Sequence, residues 1–183
     1  MRVLVACEFS GRVRDALIKR GHDAVSCDFL PSEGNPQGSH YIGDVMDILY
    51  GEWDMMIAFP PCTNLAGAGA RWWKDRQKEQ IRDLAFVQTL MDAPINKICI
   101  ENPVGKISTA IRKPDQIVNP YQFGHGEKKR TCFWLKGLPK LKSTDVVEGR
   151  EEKSWLMPDS LGRSKRRSLT YQGIADAMAA QWG

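Results

Sequence analysis

Two residues in this chain have the type and the setting to do chemistry at one site. Cys62 ends Met55-Met56-Ile57-Ala58-Phe59-Pro60-Pro61-Cys62, an apolar run closed by a rigid turn. Glu101 follows a second apolar run, in Lys97-Ile98-Cys99-Ile100-Glu101-Asn102-Pro103. Each run reads as a buried strand ending in a turn. In an open α/β sheet, ligands sit beyond the carboxyl ends of the strands, so residues at two such ends converge on one crevice. A cysteine and a carboxyl placed there have a specific joint use: the sulfur adds to an electron-poor ring carbon while the carboxylic acid bonds the ring nitrogen that accumulates charge. Taken singly, Pro-Pro-Cys also reads as a rigid loop with a small buried thiol, and Glu-Asn-Pro as an ordinary strand-ending turn. The pair, in this order and each after an apolar run, is what points to a site.

The elements that must position this pair are legible in the hydrophobic pattern. Val3-Leu4-Val5-Ala6 is a short buried strand, 12–20 a helix with Val13, Ala16 and Leu17 on one face and Gly21 as its terminator, and Ala24-Val25-Ser26-Cys27-Asp28 a second strand. A strand, helix and strand joined this tightly form a parallel βαβ unit. The Pro-, Gly- and Ser-rich stretch 30–39 reads as a surface loop, and Gly43-Asp44-Val45-Met46-Asp47 as the close of a short strand. The next strong strand lies within 53–59. The clearest helix covers 76–91, with Ile81, Leu84, Ala85, Gln88 and Met91 towards the sheet, and it returns to the strand that ends at Glu101. Thr131-Cys132-Phe133-Trp134-Leu135 is a late strand, and 172–181 a final helix with Ile174, Ala175, Met178 and Ala179 facing inward. With no internal repeat, low-complexity run or composition break, the expectation is a single α/β domain over 1–183, Rossmann-like, with a mostly parallel sheet.

Composition narrows the class. The chain has 183 residues, 42% of them hydrophobic and 26% charged, which is enough to bury a core and to fold alone. The net charge is only +4, but the basic residues gather late: Lys128, Lys129, Arg130, Lys136, Lys140, Lys142, Arg150, Lys153, Arg163, Lys165, Arg166 and Arg167. That run suits phosphates; interrupted by Glu148, Glu151 and Glu152, it equally suits a solvated face. The five cysteines are odd in number and without Cys-x-x-Cys spacing, which argues against a zinc site or a disulfide framework. The start Met1-Arg2-Val3-Leu4-Val5-Ala6 enters a strand directly, and no stretch has membrane-spanning length. The expectation is a reduced, cytoplasmic protein without metal or membrane.

Around both turns the chain resembles the cytosine-C5 DNA methyltransferases, whose nucleophile lies in a Pro-Pro-Cys turn and whose carboxyl lies in a Glu-Asn turn. The resemblance runs in order over nearly the whole chain. It implies a methyltransferase fold, S-adenosylmethionine as cofactor and DNA, single- or double-stranded, as partner. Glu8-Phe9-Ser10-Gly11 looks like the turn after the first strand that holds the cofactor, with Phe9, Ser10 and Gly11 in contact and the amides of the following helix start turned to the methionine carboxylate. By the same resemblance Asp28 bonds the ribose, Asp44 accepts from the adenine amino group, and Pro60 borders the cofactor crevice; as bare residues, both aspartates also read as turn or cap residues. Cys62 is then the nucleophile for C6 of cytosine, Glu101 the acid at N3, and Asn102 the residue that fixes the loop beside the substrate. Glu127-Lys128-Lys129-Arg130 looks like the family's basic strand, with Arg130 as catalytic arginine and Lys128 at a substrate-binding position; Arg166 is assigned to DNA phosphates.

Where the family has a sizeable target-recognition region, this chain has only 136–167, a compactness similar to phage-type members. The stretch 64–70, with Gly67 and Gly69, either closes over a substrate or simply connects. The final helix, preceded by Ser168 and Thr170, either completes the cofactor pocket or covers the sheet. Two rivals stay open beside DNA methylation: methylation of a free cytosine nucleotide, and a nucleic-acid- or protein-binding module that keeps the fold without catalysis. A protein partner that supplies target recognition is a further open expectation.

Overall fold

A computed structural model describes residues 1–151 and 162–183; Glu152, Lys153 and the rest of 152–161, part of the predicted insert, lie outside the described residues. Seven strands form one sheet: β1 (Arg2–Ala6), β2 (Asp23–Asp28), β3 (His40–Ile42), β4 (Met55–Ala58), β5 (Lys97–Pro103), β6 (Gln116–Val118) and β7 (Thr131–Lys136). Their order is β3-β2-β1-β4-β5-β7-β6. The first five strands pair in parallel, while β7 runs antiparallel to both β5 and β6. The fold is therefore α/β with a mostly parallel, Rossmann-like sheet. Chain direction across the sheet reverses between β1 and β4, the place where doubly wound sheets open their ligand crevice.

Strand alternation divides the core into two faces. Val3 and Val5 of β1, Met55 and Ile57 of β4, and Phe133 of β7 pack with α1 (Arg12–Ile18) and the last helix, α5 (Gln172–Trp182). Leu4, Ala6, Met56, Ala58, Ile98, Ile100 and Trp134 point the other way, onto Val87 and Leu90 of α2 (Gln77–Asp92). Helix α5 lies on a sheet face, its Ile174, Met178 and Trp182 buried. Two short helices complete the inventory of described helices, α3 (Ile107–Ala110) and the basic α4 (Arg163–Ser168).

Three expectations need correction. Asp44 does not close a strand: β3 ends at Ile42, and Asp44 caps a 3-10 turn, its Oδ1 accepting from Met46 N at 3.0 Å. Helix α2 turns Gln80, Val87 and Leu90 to the core, with Leu84 and Met91 of the expected face packed against it, but leaves Ala85 and Gln88 exposed and Ile81 69% exposed, so the core stripe is rotated from the expected one. The stretch 64–70 is not a loose connection. Gly67 N donates to Val104 O at 2.9 Å and Lys106 N to Leu65 O at 2.8 Å, so the segment after Cys62 is stitched to the end of β5. Gly105 permits this, because a Cβ there would lie 2.0 Å from Leu65 O.

Candidate active site

The Cys62 and Glu101 turns are neighbours because β4 and β5 pair in parallel register, Ala58 beside Ile100. A buried hydrogen bond joins them: Asn102 Nδ2 donates to the carbonyl of Pro60 at 2.8 Å. Pro60 is itself buried. Asn102 is 1% exposed, and its Oδ1 has no hydrogen-bond partner among the described residues, an acceptor left unsatisfied in a place where such atoms are costly. The Cys62 carbonyl accepts from Leu65 N and Ala66 N, which holds the backbone of the Cys62 turn, and the Cys62 backbone amide bonds to the sulfur.

Four charges or incipient charges interact here. Burial pushes the Cys62 thiol up, the neighbouring Glu101 pushes it further, and Lys129 and Arg167 oppose both. Glu101 is likewise raised by burial, against Lys129 and a hydrogen bond from the Thr131 hydroxyl. A thiol and a carboxyl both biased to their neutral forms, beside two cations, make a site poised to receive a polar ring and to move protons onto and off it.

The register explains which basic residue reaches the pair. Glu101 pairs with Phe133 and Pro103 with Thr131, so the side chains at 101, 131 and 129 share one side of the ladder. Lys129, no different in kind from its basic neighbours, is the cation beside Glu101; its Nζ donates to the carbonyl of Arg167 and stands 5.5 Å from the Tyr171 ring centroid. Arg130, assigned a catalytic role, is exposed and interacts with Cys132, whose thiol burial pushes up to about 11. Lys128 is exposed, its backbone amide bonded to Glu151 O at 2.8 Å. Arg166 has an exposed side chain on α4, whose Arg167 is the residue turned towards Cys62.

Beside the pair opens a cleft of about 490 Å³ lined by Gly67, Ala68, Ala70, Arg71, Arg163 and Arg167. Three guanidinium groups around a backbone-rich wall suit an anionic ligand, and phosphate above all.

The turn after β1 is built differently. Glu8 is buried, and its carboxylate accepts from Val13 N at 2.8 Å, Arg14 N at 3.3 Å and Ser10 Oγ at 3.1 Å. The helix-start amides expected to face a cofactor carboxylate are thus already bonded to the chain's own Glu8. Gly11, at φ 70°, has the Gly34 Cα 2.7 Å from where its Cβ would be, so its smallness serves the packing of 30–39 rather than an open cradle. Phe9 is 7% exposed and Lys165 Nζ stands 5.0 Å from its ring centroid. Arg14 is the residue that the sequence did not announce. Fully buried, it donates to Ser26 Oγ (3.1 Å), Ser32 Oγ (3.0 Å) and the Asn35 carbonyl (3.0 Å), and pairs with Asp15 at 2.8 Å. It clamps the 30–39 loop over the turn. Thr170 gives its carbonyl to Arg12 at 2.6 Å, and the Ser168 hydroxyl donates to Lys165 O.

Asp28 and Asp44 stand together at the ends of β2 and β3. Both raise the thiols of Cys7 and Cys27, though burial is the larger cause, and Cys27 is pushed up to about 11. Asp28 Oδ1 accepts from Leu30 N at 2.9 Å, so each aspartate also closes its own turn. Cys7, beside them, has φ 59°, a conformation costly for any residue with a Cβ. These acids fit the hydroxyls and amino group of a nucleoside; the α1 start, already capped, does not fit a carboxylate.

Among the described residues no helix is long and apolar enough to cross a membrane, and no cluster of His, Cys, Asp and Glu has a metal-holding arrangement. No protein-family model matches the sequence, and no curated protein matches it at a significant level.

Proposed function

We propose that this protein methylates C5 of cytosine in DNA through a covalent bond between Cys62 and the base. The observation that carries the reading is the meeting of Cys62 and Glu101 at adjacent strand ends, tied by Asn102, with Arg167 both acting on Cys62 and lining the neighbouring cleft. Cys62 Sγ gives its proton to solvent water and adds to C6; as the S–C6 bond forms, the C5–C6 π pair shifts towards C4, the C4–N3 π pair goes to N3, and N3 takes the proton of Glu101, leaving C5 nucleophilic as an enamine. Burial biases Glu101 towards the protonated form this step needs. Lys129 stabilises the carboxylate that remains. S-adenosylmethionine, when bound, supplies the electrophilic methyl group that C5 takes, and Asp28 and Asp44 are the residues that would hold its nucleoside end. Water then takes the C5 proton, the electron pair reforms the C5–C6 double bond as the C6–S bond breaks, N3 returns its proton to Glu101, and Cys62 is free again.

The test uses a C5 without a removable proton. An oligonucleotide carrying 5-fluorocytosine, incubated with protein and S-adenosylmethionine, is expected to give a denaturation-resistant adduct mapped by mass spectrometry to Cys62. Cys62→Ala abolishes it; Cys132→Ala, altering a thiol buried in the core, does not. No adduct with any cytosine substrate, despite demonstrated cofactor binding, rejects C5 chemistry. Turnover on free cytosine nucleotides exceeding that on oligonucleotides selects the nucleotide as substrate.

A further inference from the structure

The segment between the Cys62 turn and α2 is not used by the chemistry above. Gly67–Arg76 winds through 3-10 turns, buries none of its side chains and places Arg71, Trp72, Trp73 and Lys74 in succession. Neither tryptophan is fully buried, so neither is there to fill a core. Trp72 is 49% exposed, and Ile81, on the adjoining turn of α2, 69%. The arginine-lined cleft beside Cys62 touches the first half of the segment; a second cavity of about 380 Å³ touches the second half, bounded by Trp73, Lys74, Ile81, Leu84 and Lys106 among others. Cations stand over both indoles, Arg71 5.1 Å from the Trp72 ring centroid and Lys106 5.2 Å from that of Trp73. Trp73 Nε1 is buried without a hydrogen-bond partner among the described residues.

We propose that Gly67–Arg76 is a track for single-stranded DNA, with phosphates against Arg71, Arg163 and Arg167 and bases stacked on Trp72 and held in the Trp73 cavity. The proposal rests on the methyl-transfer reading and names its substrate. Exposed indole faces beside a basic cleft are what single-strand binders use, because every base has a π-face and every nucleotide a phosphate. Stacking of this kind needs bases that are not already stacked in a duplex. The chemistry asks for the same: N3 of a paired cytosine is engaged in its base pair, so Glu101 reaches only an unpaired base. A single strand delivers one without extrusion. The 26 residues between β7 and α4 leave little chain for groove reading, which agrees with a substrate recognised by its backbone and ring faces.

Binding is measured by fluorescence anisotropy on the full chain, with a labelled oligothymidylate and the same strand annealed to oligoadenylate. Neither contains cytosine, so the result is independent of catalysis. The single strand is expected to bind at least about tenfold tighter at equal salt. Trp72→Ala should weaken it roughly 5- to 150-fold, the span of one stacked base, and leave duplex affinity unchanged, while Trp72→Phe retains most of the affinity. Arg71→Ala should lower the slope of log affinity against log salt by about 0.7. Circular dichroism establishes that the variants fold. Duplex binding equal to or tighter than single-strand binding, or an unchanged Trp72→Ala, overturns the track, as does single-strand binding without salt dependence, which would turn the surface over to a protein partner. A Cys62 adduct formed on duplex 5-fluorocytosine DNA without single-strand preference rejects the track and keeps the methyl transfer. Single-strand binding without any adduct does the reverse.

Discussion

At the carboxyl end of the sheet, two regions with equally suggestive sequences use their polar groups in opposite ways. After β1, Glu8 spends its carboxylate on the amides of α1, Gly11 is filled against Gly34, and Arg14 is bonded on every side. After β4 and β5, Glu101 takes a single bond from the Thr131 hydroxyl, Cys62 one from its own amide, and Asn102 retains an unsatisfied oxygen among the described residues. The first region is matched by its own chain. The second leaves a buried acceptor unmatched. A turn whose donors and acceptors are internally matched contributes stability, whereas one that leaves buried groups unmatched bears a cost that persists for function.

The sharpest way to break this contrast is Cys62→Ala. It is expected to reduce methyl transfer by on the order of 10⁴-fold or more, with denaturation midpoints little changed, since a half-buried thiol at a cleft supports little packing. A large stability loss with residual turnover would make Cys62 a structural residue like Glu8.

Glu101→Gln comes next. Turnover should fall by about 10²- to 10⁴-fold, because an amide cannot give N3 a proton. Stability moves the other way with pH. The folded-state pKa of Glu101 is raised, so the carboxyl favours the fold while protonated and costs it stability as pH rises through that raised value. Relative to wild type, the glutamine variant should therefore gain stability between pH 4 and pH 8, with little difference at the acid end. Urea titrations at both ends of this window measure it, and a difference independent of pH would mean that Glu101 is ionised in the fold throughout.

Arg14→Met tests the other half. Removal of a fully buried, multiply bonded guanidinium should cost about 3–5 kcal/mol in chemical denaturation, while turnover per folded molecule is retained. Turnover lost in step with cofactor affinity would place Arg14 in the binding machinery. The smallest effect is expected at Asp28→Asn and Asp44→Asn, each about tenfold weaker for S-adenosylmethionine by calorimetry, since asparagine preserves the turn acceptor and removes the charge. Unchanged affinity in both moves the nucleoside away from these strand ends.

The sheet and the cysteine-carboxyl pair were legible in the sequence because they rest on short-range pattern: apolar runs of strand length, each closed by a proline turn. What was illegible depends on register or on distant partners. Lys128, Lys129 and Arg130 are chemically alike, and only the pairing of β7 with β5 turns the middle one to Glu101. Nothing in the local pattern marks Arg14 for burial, because its acceptors, at Ser26, Ser32 and Asn35, come from later in the chain. Three-residue β6 offers too few positions for a period to show. Trp72 and Trp73 follow no helical or strand period, so nothing marked them as exposed, and exposed Ile81 drew the predicted face of α2 away from Gln80 and Val87.

The placement of β7 between β5 and β6 also sets an order of assembly. A chain leaving the ribosome completes β4 and β5, with both reactive turns, while one side of β5 still has no neighbour, and β6 emerges with nothing to pair to. Both wait for 131–136, and the face over Val3, Met55 and Phe133 waits longer still, until the last eleven residues of helix arrive to cover it. The Cys62 and Glu101 turns are thus synthesised before the strand that completes the sheet beside them and the helix that covers its face.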